Sequence, residues 1–220
     1  MGVDKTIESL NKANIKSFGT KRKGVNAKWF EITKTDVGSG SSKITFTLAW
    51  VACAGHINAD KDFSQKDKYQ DQLLLCSSDD FKDTILHLDT QRSDIDGVIG
   101  IVHDGVEYTK EPQGKVVDYV NSAVTSGAFL VLVLANHPHR AQKIERVQWT
   151  RGTESRQSVV VWAVGDFLSH RSISGILLFQ VQKQVDGERV RARVDCFQYT
   201  PLCNVNQNQE DNRKHKKEYK

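Results

Sequence analysis

Four aspartates lie in one polar stretch of the chain, residues 50–75, which reads WVACAGHINADKDFSQKDKYQDQLLL. Calcium and similar hard cations bind about six to eight oxygen atoms from carboxylates, amides and carbonyls. Asp60, Asp62 and Asp71 could supply such oxygens where an apolar strand breaks off, so the stretch predicts a divalent-cation loop with Ca²⁺ as the cofactor. Three interleaved lysines make the loop nearly neutral, and a solvated connection between two strands is the alternative interpretation.

Two carboxylates and a lysine in RSDIDGVIGIVHDGVEYTKE, residues 92–111, form a second candidate site. Nucleases of the PD-(D/E)xK type hold Mg²⁺ with a carboxylate at a strand end, a second acidic residue and a nearby lysine. Asp96, Glu107 and Lys110 imitate this set. The spacing E-Y-T-K is one residue longer than the motif and turns Glu107 and Lys110 to opposite faces of a strand, which leaves surface charges on a hairpin as the alternative.

Two histidines in ANHPHRAQ, residues 135–142, form a third candidate site after the most apolar strand. His137 and His139 could bind one metal ion together or transfer protons near neutral pH. Loops at the edge of a sheet often carry such functional groups. No carboxylate or serine pattern lies beside them in sequence, so an ordinary turn is the alternative.

Three arginines alternate along one strand of a predicted hairpin near the end of the chain. A two-residue turn at Asp186–Gly187 suits the tight type I′ geometry, which needs positive φ at both positions. In that register the glutamines of the first strand face the arginines of the second, as Gln184–Arg189, Gln182–Arg191 and Gln180–Arg193. Such a row could contact phosphates or carboxylates of an anion or nucleic acid, and a solvated sheet face is the alternative.

Alternating and β-branched segments dominate the chain from residue 28 onward and predict many strands at short intervals. The main candidates are 43–52, 72–76, 84–88, 97–103, 128–136, 143–149, 157–164, 175–185 and 188–199. Helical spacing occurs in residues 3–18 and 114–127. The pattern predicts a mainly β chain, an antiparallel β-sandwich with an N-terminal helix and one internal helix, rather than a parallel sheet alternating with helices.

Composition predicts three parts: a helix and basic linker at 1–24, the sandwich domain at 25–200, and a basic, disordered tail at 201–220. The net charge of +4 is concentrated at the two ends, so the basic termini could contact nucleic acid, anionic lipid or acidic proteins, with solvated tails as the alternative. The start of the chain also fits the loose M-G-x-x-x-[ST] acylation pattern through Gly2 and Thr6.

The chain has the composition of an ordinary soluble globular protein, with 38% hydrophobic and 26% charged residues. No apolar run reaches the ~20 residues of a transmembrane segment, and the N-terminus lacks the apolar core of a secretory signal. The four cysteines form no C-x-x-C motif. Together these features predict a cytoplasmic protein with reduced thiols, in which Cys53 and Cys76 act as small buried hydrophobes.

The order of segments resembles the TerD family of tellurium-resistance and stress-response proteins, which are calcium-binding sandwiches of two antiparallel sheets. KITFTLAWVA, the acidic loop and QLLLC are similar to that family's strand, Asp-rich loop and apolar strand. AFLVLVLANHPHRAQKIERVQW and SISGILLFQVQKQVDGERVRARV resemble a later strand pair and the closing hairpin, so the likeness covers residues 25–198. It implies a β-sandwich with a calcium site, although only Asp71 matches part of the family's D-[FIL]-D-A-S signature.

These observations predict a non-enzymatic ligand- or ion-binding protein of a TerD-like stress-response type, with a protein partner or self-association. The enzymatic alternative is a Mg²⁺-dependent nuclease through Asp96, Glu107 and Lys110. A structural or assembly protein, such as a viral coat subunit with basic tails, is the third possibility.

Overall fold

The chain folds around one six-stranded sheet, and a two-stranded hairpin forms a second sheet. The computed structural model describes residues 2–55, 71–126, 129–134, 137–151, 154–165, 173–186 and 189–203. In these ranges the helices are α1 (Val3–Lys12), α2 (Asp79–Thr90) and α3 (Lys115–Ser126), with a 3₁₀ turn at Gly40–Ser42. The strands are β1 (Phe30–Val37), β2 (Ile44–Ala54), β3 (Gly97–His103), β4 (Phe129–Leu134), β5 (Ile144–Arg151), β6 (Glu154–Val161), β7 (Ile173–Asp186) and β8 (Arg189–Cys203).

The six-stranded sheet is mixed and its centre is parallel. Its strand order is β1-β2-β3-β4-β6-β5, and the pairs β2–β3, β3–β4 and β4–β6 are parallel. The two outer pairs, β1–β2 and β5–β6, are antiparallel. The prediction of a mainly β chain with few helices is confirmed, but the six-stranded sheet is not the antiparallel sheet of the predicted sandwich. Parallel neighbours need long crossover connections, and α2 and α3 lie in two of them.

Helix α2 replaces the strand that was predicted from TILHL. The Ser78 side chain caps this helix, since its Oγ accepts a hydrogen bond from the Phe81 N–H at 3.2 Å. Phe81, Ile85 and Leu88 are buried and recur at helical spacing. The strand prediction was wrong because it rested on the five residues TILHL alone. The helical spacing of the apolar residues becomes visible only when the window is extended to the whole of α2.

Both faces of the parallel sheet are buried, which explains the continuous apolar run in β6. Val160 and Trp162 pack into the cluster that contains the apolar faces of α2 and α3. Val159 and Val161 pack into a second cluster with residues of the β7–β8 hairpin such as Phe179. A strand covered on both sides has no polar face, so its sequence does not alternate.

The β7–β8 hairpin forms with a different register from the predicted one. The observed partners are Asp186–Arg189, Gln184–Arg191 and Gln182–Arg193, with a bulge between Gln180 and Val181. Gln184 and Gln182 therefore pair two positions further along β8 than predicted, and Asp186, predicted as a turn residue, pairs with Arg189. Because side chains alternate with a period of two, this shift leaves the same residues on each face.

The buried cysteines Cys53 and Cys76 form a disulfide, with an S–S distance of 2.06 Å. The bond joins the end of β2 to the segment before α2, and their Cα atoms are 5.0 Å apart. The prediction of reduced thiols is therefore wrong for this pair. Spacing alone could not pair them, because they meet through backbone hydrogen bonds between the end of β2 and the segment before α2: the Ala54 N–H donates to the Leu74 carbonyl and the Cys76 N–H donates to the Ala54 carbonyl.

A histidine cluster as candidate functional site

The four parallel strands β2, β3, β4 and β6 all end at the same edge of the sheet. In open sheets of this kind, ligands commonly bind at the carboxyl ends of the strands, where loops from neighbouring strands converge. Strand β3 ends at His103 and is followed by Asp104, and the chain that follows β4 leads into His137. Parallel pairing of β3 with β4 is what brings these two chain segments together.

Three histidines form a contact series at this edge. The ring centroids of His103 and His137 are 5.3 Å apart at an interplanar angle of 68°, and those of His137 and His139 are 6.5 Å apart. The His139 ring in turn stacks on the Tyr108 ring, with a centroid distance of 5.5 Å and an interplanar angle of 21°. His137 is 7% exposed, whereas His103 is exposed and His139 is half-buried. The cluster therefore has a buried middle member and partners that reach solvent.

A backbone contact holds the loop after β3 against the segment that carries His137 and His139. The Tyr108 N–H donates to the Pro138 carbonyl at 2.8 Å, which joins the loop after β3 to the loop after β4. Tyr108 and His139 have positive φ values of 62° and 54°. Non-glycine residues adopt this region rarely and at some energetic cost, and such positions concentrate at functional sites.

Asp104 lies against the end of β2. Its Oδ1 accepts a hydrogen bond from the Gly105 N–H at 2.7 Å, and the Gly55 N–H donates to the His103 carbonyl at 3.0 Å. A Cβ atom at Gly55 would overlap the Asp104 carboxylate. The absence of a side chain at Gly55 therefore lets a carboxylate sit beside the histidine cluster at this edge.

This arrangement suits proton transfer and nitrogen ligation. Imidazoles change charge near neutral pH, so neighbouring histidines can take up and release protons during a reaction. Two imidazoles on one tetrahedral ion place their ring centres roughly 5 Å apart, given a metal–nitrogen distance of about 2.1 Å. The separation between His103 and His137 matches that value, although in the described ranges no group of three or more histidine, cysteine or carboxylate side chains could hold a metal ion.

Among the residues predicted from sequence, His137 and His139 lie with their ring centroids 6.5 Å apart, and their role in metal binding or proton transfer stays a prediction. The predicted metal ligands Asp60 and Asp62 lie outside the described residues, and Asp71 is exposed just before the short bridge at Leu73. The predicted ligand set of the cation loop therefore stays a prediction.

The predicted nuclease residues do not form one site. Asp96 lies at the beginning of β3, where its Oδ2 accepts from the Thr47 N–H at 2.7 Å and pairs with Lys183 Nζ at 2.9 Å. Glu107 and Lys110 are exposed and follow the other end of β3. A strand of this length spans roughly 20 Å. Asp96 is a buried structural carboxylate rather than a partner of the other two.

The predicted arginine row is not an open anion-binding face. Arg191 has its Nη1 3.5 Å from Asp89 Oδ1, and its side chain is only 14% exposed. Arg193 is exposed and its Nη1 lies 3.4 Å from Gln184 Oε1. Arg189 belongs to β8, but its side chain lies outside the described part. The arginines of the row therefore differ in their surroundings: Arg191 pairs with Asp89 of α2 and attaches the hairpin to the rest of the fold, whereas Arg193 faces solvent.

His103, Asp104 and Tyr108 were not among the site residues predicted from the sequence. The available signal was that two apolar segments, GVIGIVH and AFLVLVLAN, each end in or lead directly into a histidine. If those segments are neighbouring parallel strands, their following loops must meet. The antiparallel interpretation concealed this relationship.

Comparison with known proteins identifies a different family from the one suggested by segment order. The sequence model of a family described as "Bacterial capsule synthesis protein PGA_cap" matches residues 1–171 of the 220. A search of curated proteins finds no match. Among solved structures, the calcineurin-like phosphoesterase YfkN from Bacillus subtilis aligns with a TM-score of 0.48 at 11% identity, over 90% of this chain and 60% of that chain.

The resemblance to the TerD family is therefore wrong. The roles that it implied, in stress response, tellurium resistance and calcium binding, are wrong with it. The mistaken inference came from the order of the segments along the chain. That order is the same whether successive strands pair antiparallel or whether they pair parallel with a helix in the connection between them. The nuclease alternative gains no support from the comparisons either. With most of its length matched by the family's sequence model, the chain belongs to the bacterial capsule synthesis protein family PGA_cap.

Proposed function

We propose that this protein acts in bacterial capsule synthesis as an enzyme whose chemistry takes place at the histidine cluster of His103, His137 and His139. Family membership supports the biological process. The observation that carries the site is the ring-centroid distance of 5.3 Å between His103, the last residue of β3, and His137, which follows the neighbouring parallel strand β4.

The proposed chemistry is hydrolysis or group transfer on an anionic substrate. The oxygen of the attacking hydroxyl or water would form a bond to the phosphorus or carbonyl carbon of the substrate while the bond from that atom to the leaving group breaks. One imidazole would take the proton from the attacking oxygen and pass it to the departing group, and its neighbour, when protonated, would stabilise the negative charge that develops on the substrate. The exposed His103 can exchange protons with solvent, whereas the buried His137 is held in place by its neighbours.

The same pair could hold a transition-metal ion. Imidazole nitrogen suits zinc, iron, nickel or copper, whereas calcium prefers oxygen ligands. His103 and His137 would be the nitrogen ligands, and a bound ion would supply Lewis acidity toward the substrate. Zinc titration of the purified protein by calorimetry tests this part, with loss of binding expected in the His103→Asn variant.

The disulfide supports a location outside the cytoplasm. Disulfides persist in oxidising compartments and are rare in the reducing cytosol. Cys53 and Cys76 form one here, so we propose that the protein matures in an oxidising compartment rather than in the cytoplasm. None of the helices in the described ranges is long and apolar enough to cross a membrane. Self-association, a protein partner and nucleic-acid contact by the basic ends stay predictions.

The test of the enzyme proposal compares three single variants on chromogenic phosphate mono- and diesters and on a labelled anionic oligopeptide. His103→Asn and His137→Asn should each lower turnover by about a hundredfold or more, the usual contribution of general acid–base catalysis. His87→Asn is the control, because His87 is an exposed histidine on α2 outside the cluster.

Circular dichroism and thermal melting identify any variant that has lost its fold, and the exposed His103 keeps the test informative if His137→Asn unfolds. Equal turnover in all four proteins would contradict a catalytic role for the cluster. A wild-type protein inactive on every probe, with and without added zinc or manganese, would contradict the proposed reaction class.

A further inference from the structure

The β7–β8 hairpin has one long strand edge that pairs with no other strand in the described part of the chain. β7 and β8 form a sheet of two strands, so the edge of β7 that faces away from β8 is an outer edge. Such an edge presents backbone N–H and C=O groups to which a further strand can bond. β7 begins after residue 171, the last residue that the family model matches, so family membership implies nothing about this edge.

Charged residues protect the two outer strands of the six-stranded sheet. Within the described ranges these strands are β1 and β5. The charged residues of the two strands are Glu31, Lys34 and Asp36 on β1, and Glu145, Arg146 and Arg151 on β5. Charges on an edge strand discourage pairing with another chain, because a pairing strand would have to cover them.

The outer edge of β8 is used by the protein itself. The Ala192 N–H donates to the Asp96 carbonyl at 2.7 Å. The Arg146 guanidinium donates to the Val194 carbonyl at 2.9 Å and to the Asp195 carbonyl at 2.7 Å. Backbone groups that are bonded to the rest of the fold are not available to a further strand.

β7 has neither kind of protection over most of its length. Its first ten residues, 173–182, read ISGILLFQVQ and contain no charge and no proline. Ile176 and Leu178 are 44% and 58% exposed, while the alternate residues Leu177 and Phe179 pack against the second apolar cluster. An apolar, uncharged strand with a free edge is a template for pairing with another chain. The contrast with the other outer strands indicates that this edge has a partner.

We infer that β7 pairs antiparallel with β7 of a second copy of this chain, so that two hairpins form one four-stranded sheet. A two-fold axis through Leu178 places the two Leu178 side chains opposite each other and Ile176 opposite Gln180 of the other copy. These residues share the exposed face in each copy, so the pleats of the two strands match.

The composition of β7 favours a second copy over a charged peptide as the partner. In the register centred on Leu178, residues 174–182 pair with the same residues of the other copy, and none of them is charged. The strand therefore lies opposite itself without like-charge repulsion. A charged peptide would place its charges beside Ile176 and Leu178 instead. β7 contains no member of the histidine cluster, so the pairing does not depend on the proposed catalytic role.

The first test is sedimentation velocity of the full chain at concentrations up to roughly 100 µM, because a single pair of strands forms an interface at the small, weak end of the range. Wild type should show a monomer–dimer equilibrium. Leu178→Lys places two like charges opposite each other at the axis and should weaken dimerisation at least about tenfold.

Gln198→Lys is the matched control for this variant. Gln198 pairs with Leu178 on β8 and is also exposed, so the same charge is added to the same face one strand further from the axis. In the paired sheet the two added lysines would lie three strand spacings apart, roughly 14 Å. At about 0.15 M salt this separation exceeds the screening length of about 8 Å, so the control should dimerise like wild type.

The second test is a cysteine cross-link at the axis, in a background that carries Cys196→Ser and Cys203→Ser. Residues opposite each other on antiparallel strands have Cα atoms about 4.5–5.5 Å apart, a distance that a disulfide spans. Diamide, which takes up the two electrons and two protons released by two thiols, should therefore join two copies of the Leu178→Cys variant. Gln198→Cys in the same background should stay uncoupled.

Dimers of wild type and of Gln198→Lys, weak dimerisation of Leu178→Lys, and cross-linking at position 178 alone support the inference. A wild type that stays monomeric at the highest concentration would overturn it, and so would equal behaviour of the two lysine variants. Growth of wild type beyond the dimer would overturn the two-fold arrangement. Circular dichroism checks the fold of Leu178→Lys, and if this variant unfolds, the cross-link decides. Catalytic assays are not involved, so failure here leaves the histidine proposal intact.

Discussion

Arg156 and Asp89 form a buried ion pair across 67 residues of sequence, with Arg156 Nη1 donating to Asp89 Oδ1 at 2.9 Å. The two side chains are only 10% and 2% exposed. Arg191 Nη1 lies 3.5 Å from the same oxygen. Since Asp89 lies in the last turn of α2, Arg156 on β6 and Arg191 on β8, one carboxylate connects the helix layer, the sheet and the hairpin.

Replacing this carboxylate should destabilise the fold strongly. Asp89→Asn removes the negative charge and leaves two largely buried guanidinium groups without it, a change that typically costs about 3–5 kcal/mol. The measurement is the free energy of unfolding from urea titration. Asp94→Asn is the control, because the Arg92–Asp94 pair is short, at 2.8 Å, but the Asp94 side chain is 55% exposed. Exposed pairs contribute about 1 kcal/mol or less. Equal losses in the two variants would contradict the structural role of Asp89.

Removing the disulfide should lower stability without abolishing the core. The bond closes a loop between positions 23 apart, and restricting the unfolded chain in this way contributes about 3 kcal/mol. The variant Cys53→Ser with Cys76→Ser should therefore melt at a lower temperature than wild type, and a reducing agent should lower the wild-type midpoint to a similar extent. Cys196→Ser, at an exposed cysteine, should change neither value. Insensitivity of the wild type to reduction would show that the bond does not stabilise the fold.

Two glycines with nearly the same backbone conformation should respond differently to alanine. Gly19 and Gly24 have φ values of 71° and 73°. At Gly24 an added Cβ meets nothing within 4 Å, so the cost is that of a left-handed alanine, about 1–2 kcal/mol. At Gly19 the Cβ would also overlap the Ala52 carbonyl of β2. We expect Gly19→Ala to lose clearly more unfolding free energy than Gly24→Ala, and equal losses would contradict the close approach of Gly19 to β2.

Acid should remove a small surface contribution to stability. Lys43 Nζ, 2.7 Å from Asp36 Oδ2, holds the pKa of the Asp36 carboxyl below its ordinary value of 3.8, with a further hydrogen bond from Thr45. A carboxylate whose pKa is lower in the folded state stabilises above its unfolded pKa and loses that contribution as pH falls through its folded pKa. Wild type should therefore be more stable than Asp36→Asn near neutral pH and equal to it in strong acid. A difference that persists unchanged in acid would exclude this ionisation as its cause.

Local sequence pattern determined much of the secondary structure. The periodic valines of α3 predict a helix, and Val116, Val120 and Val124 are indeed its buried positions. Apolar runs predicted β2, β3, β4, β6 and the closing hairpin because a buried strand must supply apolar side chains wherever it lies. The positions of these helices and strands depend on residues that are close together along the chain, so the sequence alone predicts them.

Only the tertiary structure decided which strands are neighbours and in which direction they run. An apolar strand shows the same pattern beside a parallel or an antiparallel partner, and the misassigned α2 removed the crossover that would have indicated parallel pairing. The contact between His103 and His137, the Cys53–Cys76 disulfide and the pairing of Asp89 with Arg156 all follow from that packing. Each joins residues far apart in sequence, and local periodicity contains no information about which distant segment a strand or helix will contact.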